Sequence, residues 1–335
     1  MWRVAVIEGD GIGPEVISST VRVINAVKEI HRLPIELEFV EAGLNAYKKY
    51  GTNLPKHSQD KLAASNCVLK GPTTSLEGFG TELGVPVKIR KLFNLYANIR
   101  PFRPLPRVKS VARLDAVIVR ENTEGSYSGF EYIISDHVAL GIRLATRRAA
   151  EKIFKVAFNL AENRRKRVTF AHKANVLKAT DGLYKEVFLQ EAKNHPDVIA
   201  EESHIDALAG SLILKPESYD VIVTENLYGD IISDEAAALV GGLGLAPSAN
   251  VGDNYAMFEP VHGSAPDIAG KGIANPIAAI LSFKMMLEWM GYMEAANRVE
   301  AAVIKTLNEG KNLTPDLGGT GKTADIENEI VLNLY

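Results

Sequence analysis

Short runs of apolar residues alternate along the chain with longer segments in which apolar residues recur every three or four positions. The runs predict buried strands at 4–7, 35–40, 67–69, 116–119, 168–171 and 221–224. The longer spacing predicts helices within 14–30, 153–160 and 277–290. This alternation of strands and helices is typical of an α/β protein.

Two segments interrupt the alternation. Residues 100–106 contain three prolines, which predict an extended crossing rather than a regular element because proline restricts itself and its predecessor. Residues 241–247 are rich in small and turn-forming residues. We therefore expect two interleaved domains, a large one of residues 1–99 with 241–335 and a central one of residues 100–240.

Composition narrows the class of protein. The 335 residues carry 38 Lys and Arg against 41 Asp and Glu, a formal charge of −3, which argues against a nucleic-acid or membrane-surface protein. The single cysteine, Cys67, excludes an internal disulfide. No apolar stretch approaches the ~20 residues of a membrane-spanning helix, and the first residues lack a signal-peptide layout. We expect a soluble, cytoplasmic protein.

Two aspartates after the strand at 221–224 are candidates for a metal site. Asp230 and Asp234 are four residues apart, so on a helix they share one face. Carboxylate oxygens of this kind suit Mg²⁺ or Mn²⁺. The spacing fits a solvated helix start equally well, and both interpretations stay open at this point. Asp206 is a candidate third ligand that nothing local distinguishes.

Three arginines are candidates for binding an anion. Arg120 follows the buried strand at 116–119, where ligands of α/β sheets bind, and its planar fork can hold a carboxylate or phosphate. Arg90 and Arg100 flank an apolar and aromatic stretch. Each alone is more typical of a surface ion pair. Together with the aspartates, they indicate a metal-bound polycarboxylic acid.

Two glycine-containing loops are candidates for cofactor contacts. Gly9, Gly11 and Gly13 follow the first strand but do not match the Rossmann fingerprint, whose third glycine falls on Pro14 or Val16 here. The segment 262–267 offers backbone donors, an imidazole and a carboxylate, which could accept hydrogen bonds from a ribose diol.

These segments together resemble the metal-dependent β-decarboxylating dehydrogenases, the family of 3-isopropylmalate, isocitrate and homoisocitrate dehydrogenases. The resemblance spans essentially the whole chain. The matching motifs occur in order at 9–15, 96–101, 120–125, 172–176, 226–234 and 259–267.

The resemblance implies a two-domain α/β fold distinct from the Rossmann domain, with the active site in the cleft between domains and completed by a neighbouring subunit of a homodimer. It implies that Arg90, Arg100 and Arg120 bind the substrate carboxylates. It assigns the metal ligands to Asp230 and Asp234, with Asp206 from the partner chain. It assigns acid–base catalysis to Tyr127 and the neighbour's Lys173, a base whose pKa nearby arginines and the metal could lower.

The resemblance also identifies a cofactor site. Relatives that use NADP carry Lys-Tyr where this chain has Asp267 and Ile268, so we expect NAD. The implied cofactor-binding residues are Thr73, Asn175, Glu259, His262, Gly263, Ser264, Ala265, Asp267 and Asn275.

Substrate choice depends on the stretch before Arg90. Isocitrate relatives place serine and asparagine where this chain has Gly84 and Pro86, and bacterial-type homoisocitrate relatives place arginine at Val87. An apolar Val87 favours the isopropyl group of 3-isopropylmalate. The segments 71–75 and 124–129 resemble isocitrate and homoisocitrate relatives instead, so those acids, or promiscuity, remain alternatives. A non-catalytic regulatory subunit is disfavoured because every site position is filled.

Overall fold

The computed structural model describes residues 1–335, and it consists of one large sheet, a separate hairpin and helices packed on both. The twelve strands are β1 (Trp2–Ile7), β2 (Ile35–Phe39), β3 (Cys67–Lys70), β4 (Ala97–Phe102), β5 (Ala116–Glu121), β6 (Gly125–Ser135), β7 (Val138–Leu144), β8 (Arg167–His172), β9 (Ile199–His204), β10 (Val221–Thr224), β11 (Pro247–Val251) and β12 (Ala256–Pro260). The mixed α/β prediction is confirmed.

The eleven helices include the three that the sequence predicts. They are α1 (Gly13–His31), α2 (Leu44–Tyr50), α3 (Lys56–Ala64), α4 (Val85–Leu92), α5 (Arg147–Glu162), α6 (Thr180–Ala192), α7 (Ile205–Leu214), α8 (Asn226–Val240), α9 (Ile277–Trp289), α10 (Met293–Glu309) and α11 (Thr323–Leu334). No helix is both long enough and apolar enough to span a membrane.

Ten strands form the large sheet in the order β2-β1-β3-β12-β11-β4-β5-β10-β8-β9. Neighbouring strands are parallel except around β11 and β4, where the pairs β12–β11, β11–β4 and β4–β5 are antiparallel. Strands β6 and β7 pair only with each other. The antiparallel strands therefore join two parallel halves of the sheet.

The prediction that residues 100–106 form no regular element is wrong for Arg100–Phe102. These three residues end β4 and pair with β5 from Ile118 to Ala116. Pro101 fits because β11 pairs with β4 only as far as Ile99, so no neighbour on that side needs the missing N–H at position 101. The remaining residues, 103–106, lie outside the strand.

The buried apolar residues form four clusters. Clusters of 35 and 12 residues come from 4–105 and 245–334, while clusters of 17 and 15 residues come from 97–246. Each pair of clusters belongs to one half of the sheet. The chain passes from one pair of clusters to the other near residues 97–105 and 245–246, close to the two segments at 100–106 and 241–247. The division into two domains at 99/100 and 240/241 stays a prediction.

Candidate active site

The side chains of Arg90, Arg100 and Arg120 converge on one open cleft. Arg90 comes from the last turn of α4, Arg100 from β4 and Arg120 from the end of β5. All three are at least nine-tenths buried. Burial and the neighbouring charge of Arg120 lower the pKa of Arg100. Guanidinium groups held this close favour an anionic ligand, since an anion offsets both their desolvation and their mutual repulsion.

Asp230 is the carboxylate that Arg100 and Arg120 share. It forms an ion pair with Arg120, lies 3.5 Å from Nη2 of Arg100, and accepts a 2.5 Å hydrogen bond from the Tyr127 hydroxyl. Burial disfavours the charged form, but Arg120, Arg100 and Tyr127 outweigh it and hold the pKa of Asp230 below its usual range. Asp230 is therefore an ionised oxygen donor in the cleft.

Asp234 lies one turn along α8 and has no ion-pair partner. Burial raises its pKa, and the charge of Asp230 adds to that effect against the opposing arginines. Two carboxylates on one helix face, one without a cationic partner, fit a divalent cation bound between them. The chain by itself contains no group of three His, Cys, Asp or Glu that could complete such a site.

Tyr127 lies at the start of β6, with the Arg120 guanidinium 5.0 Å from its ring centroid. Burial raises the pKa of its hydroxyl, and the bond to Asp230 raises it further. The hydroxyl is consequently protonated at neutral pH and able to donate a proton into the cleft.

Lys173, Asn175 and Asp206 do not lie in this cleft. Lys173 Nζ is 2.5 Å from Asp206 Oδ1, so these two candidate residues are adjacent to each other. The backbone N–H of Lys173 donates to Asp181 Oδ2 at 2.6 Å, which anchors the loop after β8. Asn175 is exposed on that loop. Within one chain, the candidate base is separated from the candidate acid.

Four of the candidate cofactor residues, Thr73, Glu259, His262 and Gly263, line the cleft beside the arginines. Thr73 and His262 line the cleft, and Thr73 Oγ1 and His262 Nε2 are buried atoms without a hydrogen-bond partner. Burial lowers the pKa of His262, so its imidazole is neutral. Two unpartnered polar atoms facing the same cleft fit a ligand with donor and acceptor groups, as a nicotinamide nucleotide has.

The loop after β12 is held against the first glycine loop. The backbone N–H of Ile12 donates to Ser264 O at 2.9 Å, and Thr74 Oγ1 donates to Ser264 Oγ at 2.9 Å. A Cβ at Gly11, whose φ is +60°, would lie 1.9 Å from Ser264 O. The contact therefore requires glycine at position 11.

The same loop continues into an adjacent cavity. His262 and Asn275 line that cavity together with Ile268 and Asp316. Gly263 and Asp267 are exposed, and Ala265 adopts a φ of +38°. The Asp267 carboxylate is therefore exposed on the loop that connects the cleft-lining His262 with the cavity-lining Ile268.

Glu259 lines the cleft, and its carboxylate contacts two basic residues. Its carboxylate lies 2.8 Å from Lys70 Nζ and 3.1 Å from Arg90 Nη2. Burial opposes ionisation, but Lys70 and Arg90 overcome it and lower the pKa of Glu259 to about 2. Glu259 thus holds the Arg90 guanidinium in place through this ion pair.

Sequence reasoning missed the buried residues that hold the arginines. Asn226 Oδ1 accepts from both Nε and Nη2 of Arg120, at 3.1 and 2.8 Å, and Ser233 Oγ accepts from Arg100. Asn226 and Ser233 both belong to the motif at 226–234, so the motif could have identified them as site residues. Asn98 likewise lies in the motif at 96–101, whereas Lys70 and Asn250 lie within strands outside the matching motifs and gave no such signal.

The cleft suits a small anionic ligand, because three buried guanidinium groups line it. The model of the isocitrate/isopropylmalate dehydrogenase family matches residues 3–330. The chain belongs to this family and is a dehydrogenase, which confirms the resemblance seen in the sequence.

Individual relatives carry different substrate names. The 3-isopropylmalate dehydrogenase of Sulfurisphaera tokodaii is 47% identical over 98% of each chain. The homoisocitrate dehydrogenase of Methanocaldococcus jannaschii is 46% identical over 99% of this chain and 97% of that protein. The structure of isocitrate dehydrogenase from Methylococcus capsulatus is 42% identical, with a TM-score of 0.95 over 100% of this chain and 99% of the other.

Proposed function

We propose that this protein oxidises and decarboxylates a 2-hydroxy acid bearing a 3-carboxylate, with NAD⁺ as hydride acceptor, and that its substrate is 3-isopropylmalate. The product would be 4-methyl-2-oxopentanoate, an intermediate of leucine biosynthesis. The main support for this proposal is that three buried guanidinium groups converge on a cleft that Val87 and Pro86 also line. Charge selects the carboxylates, and the apolar pair suits the isopropyl arm.

In this proposal Arg90, Arg100 and Arg120 hold the two carboxylates and orient C2 toward the cofactor wall. Lys173 of a neighbouring copy takes the proton of the C2 hydroxyl. Tyr127, whose hydroxyl pKa is raised by burial and by the bond to Asp230, returns a proton to the carbon that has lost CO₂. When bound, NAD⁺ accepts the hydride from C2, and Mg²⁺ or Mn²⁺ supplies a Lewis acid.

The metal would be held by Asp230 and Asp234 of one chain and Asp206 of a second. Two observations support this arrangement. Asp230 and Asp234 lie one turn apart on α8, and no third His, Cys, Asp or Glu of the same chain joins them in a group that could hold a metal. Lys173 and Asp206 are adjacent to each other and outside the cleft, so one neighbouring copy could deliver both. We therefore propose a homodimer with shared active sites, working in the cytoplasm.

The test is a comparison of kcat/KM for 3-isopropylmalate, isocitrate and homoisocitrate with NAD⁺ and Mg²⁺. We expect 3-isopropylmalate to have the highest value. A preference for either other acid would reject the proposed substrate while keeping the reaction class. A protein that reduced NAD⁺ with none of them, with Mn²⁺ as well as Mg²⁺, would indicate a non-catalytic subunit.

A second candidate substrate is homoisocitrate or isocitrate. The hydroxyl-bearing Ser75 lines the same cleft as Val87, and its Oγ lies 2.5 Å from the position that a Cβ at Gly84 would occupy. A polar side chain at this wall would suit a third carboxylate on the variable arm. The assay with three acids distinguishes this possibility directly.

Replacement of Val87 by arginine should weaken oxidation of 3-isopropylmalate. Val87 lies one helical turn before Arg90 on α4, so an arginine there would place a charge in the wall that receives the isopropyl group. We expect kcat/KM for 3-isopropylmalate to fall by about tenfold or more, the equivalent of ~1–3 kcal/mol. Val87→Leu is the apolar control. Unchanged selectivity in Val87→Arg would show that the arm binds elsewhere.

Cofactor choice should depend on Asp267. Its exposed carboxylate precedes Ile268, which lines the cavity, and a carboxylate can accept from a ribose diol and repels a 2′-phosphate. We expect kcat/KM to favour NAD⁺ over NADP⁺ by roughly 10–100-fold, the range for one charged hydrogen bond. The double variant Asp267→Lys with Ile268→Tyr should reverse this preference. A wild-type protein that prefers NADP⁺ would contradict the assignment.

A further inference from the structure

A buried network of asparagine side chains forms hydrogen bonds to Arg90 and Arg100. No step of the proposed reaction uses this network. Its centre is Asn250 on β11, which is completely buried. Asn250 Oδ1 accepts from Arg90 Nε at 3.1 Å, Asn98 Nδ2 at 3.0 Å and Asn122 Nδ2 at 2.8 Å. One carbonyl oxygen thus connects a helix, a strand and the loop after β5.

The amide nitrogen of Asn250 is bonded as well. It donates to Glu259 Oε1 at 2.9 Å and to the Met257 carbonyl at 3.2 Å. Both partners only accept, so they fix which side of the amide faces Arg90. Glu259 in turn contacts Arg90 and Lys70, and Lys70 Nζ donates to Gly71 O at 2.8 Å. Asn250 is therefore part of the same rigid support as the Arg90 guanidinium.

Strand register explains how this network reaches the second arginine. Asn250 pairs with Asn98 across β11 and β4, and Asn98 pairs with Arg120 across β4 and β5. Residues paired in register lie on the same face of a sheet, and Arg100, two residues after Asn98, shares that face. Asn98 Oδ1 accepts from Arg100 Nε. The spacing between the arginines is thereby set by consecutive strands.

We infer that Asn250 is a positioning residue that fixes Arg90 and, through Asn98, Arg100 for binding the acid. The inference rests on the proposed function, in which these arginines hold the substrate carboxylates. An amide is required because Asn250 accepts from three donors and donates to two acceptors at once. Aspartate would lose both donors, and leucine would lose every bond.

The test is steady-state kinetics of Asn250→Ala with the acid that the wild type oxidises best. We expect KM for the acid to rise tenfold or more, KM for NAD⁺ to stay within twofold, and kcat to change less than the acid KM. Asn98→Ala should show the same pattern through Arg100, and it replaces Asn250→Ala if that variant does not fold. The double variant should cost less than the product of the two single effects, because both act on one network.

Thr306→Ala is the matched control for loss of a side-chain hydrogen bond at a buried residue. Thr306 on α10 is 1% exposed, its hydroxyl oxygen accepts from Asn333 Nδ2 of α11 at 2.9 Å, and neither residue lines the cleft. It should lower the unfolding temperature without changing either KM. The inference is overturned if Asn250→Ala behaves like Thr306→Ala, or if it raises both KM values equally. A wild type that oxidises none of the three acids overturns the proposed function instead, so the two failures are distinct.

Discussion

Mixing two inactive variants, Lys173→Ala and Asp230→Asn, is expected to restore about a quarter of the wild-type activity. Lys173→Ala alone should lose activity by roughly 10²–10⁴-fold, the usual contribution of a positioned acid or base, and Asp230→Asn alone should lose activity because it removes a proposed metal ligand. In a mixed dimer, one site would combine the intact Asp230 of one chain with the intact Lys173 of the other. Random exchange makes about half the dimers mixed, with one intact site of two in each.

The expectation follows from where the two residues lie. Asp230 contacts Arg120 and Tyr127 in the cleft, whereas Lys173 contacts Asp206 outside it. If one chain supplied both residues, every site in a mixed dimer would contain one defect and no activity would return. The measurement is NAD⁺ reduction after the two variants, carrying different affinity tags, are unfolded, mixed and refolded together.

The matched control pairs Asp230→Asn with Asp234→Asn. Both residues belong to α8, so each site of a mixed dimer keeps one of the two defects. This mixture should remain inactive. Restoration in the control would mean that α8 residues also come from different chains, and absence of restoration in the test mixture would contradict shared active sites.

The sequence predicted those parts of the fold whose signal is local. Apolar runs fixed the positions of β1, β5 and β10, because a strand buried on both faces is apolar throughout. Strands β6 and β7 were not predicted. Their residues are mostly exposed in this chain, so no alternation of buried and solvent-facing positions marks them.

The candidate site shows the same division between local and non-local information. Arg120 and Asp230 belong to recognisable motifs, so their types and spacing pointed to an anion and a cation. Asn250 and Asn98 are 152 residues apart and meet only because β11 and β4 pair in register. Single polar residues within strands carry no local signal of a partner, and only the sheet order brings these amides behind Arg90.

The crossing at residues 100–106 illustrates where a local rule fails. The prolines correctly indicated a restricted backbone, but restriction does not prevent a strand when the affected N–H has no partner to lose. Whether Pro101 could lie in β4 depended on how far β11 extends alongside it, which is a property of residues 247–251. Proline content alone could not decide this.

Replacement of Arg120 by lysine is expected to lower kcat/KM by roughly 10³-fold, about 4 kcal/mol, although the charge is kept. Arg120 is 1% exposed and bonds Asn226 Oδ1 with two of its nitrogens while its third contacts Asp230. A lysine ammonium is a point charge that cannot hold this planar set of acceptors. The measurement is kcat/KM for the acid, with the unfolding temperature as a check on folding.

Gly229→Ala should reproduce part of this loss without removing any functional group. A Cβ at Gly229, within α8, would lie 2.6 Å from Cγ and 2.7 Å from Cβ of Arg120, so the arginine must move. We expect kcat/KM to fall about tenfold or more, as overpacking typically costs ~1–3 kcal/mol. Gly182→Ala is the control, because that helical glycine has nothing within 4 Å of the new Cβ. If Gly229→Ala and Gly182→Ala had equal activity, the exact placement of Arg120 would not limit the reaction, and a loss in Arg120→Lys would have to come from its bonds to Asn226 and Asp230 alone.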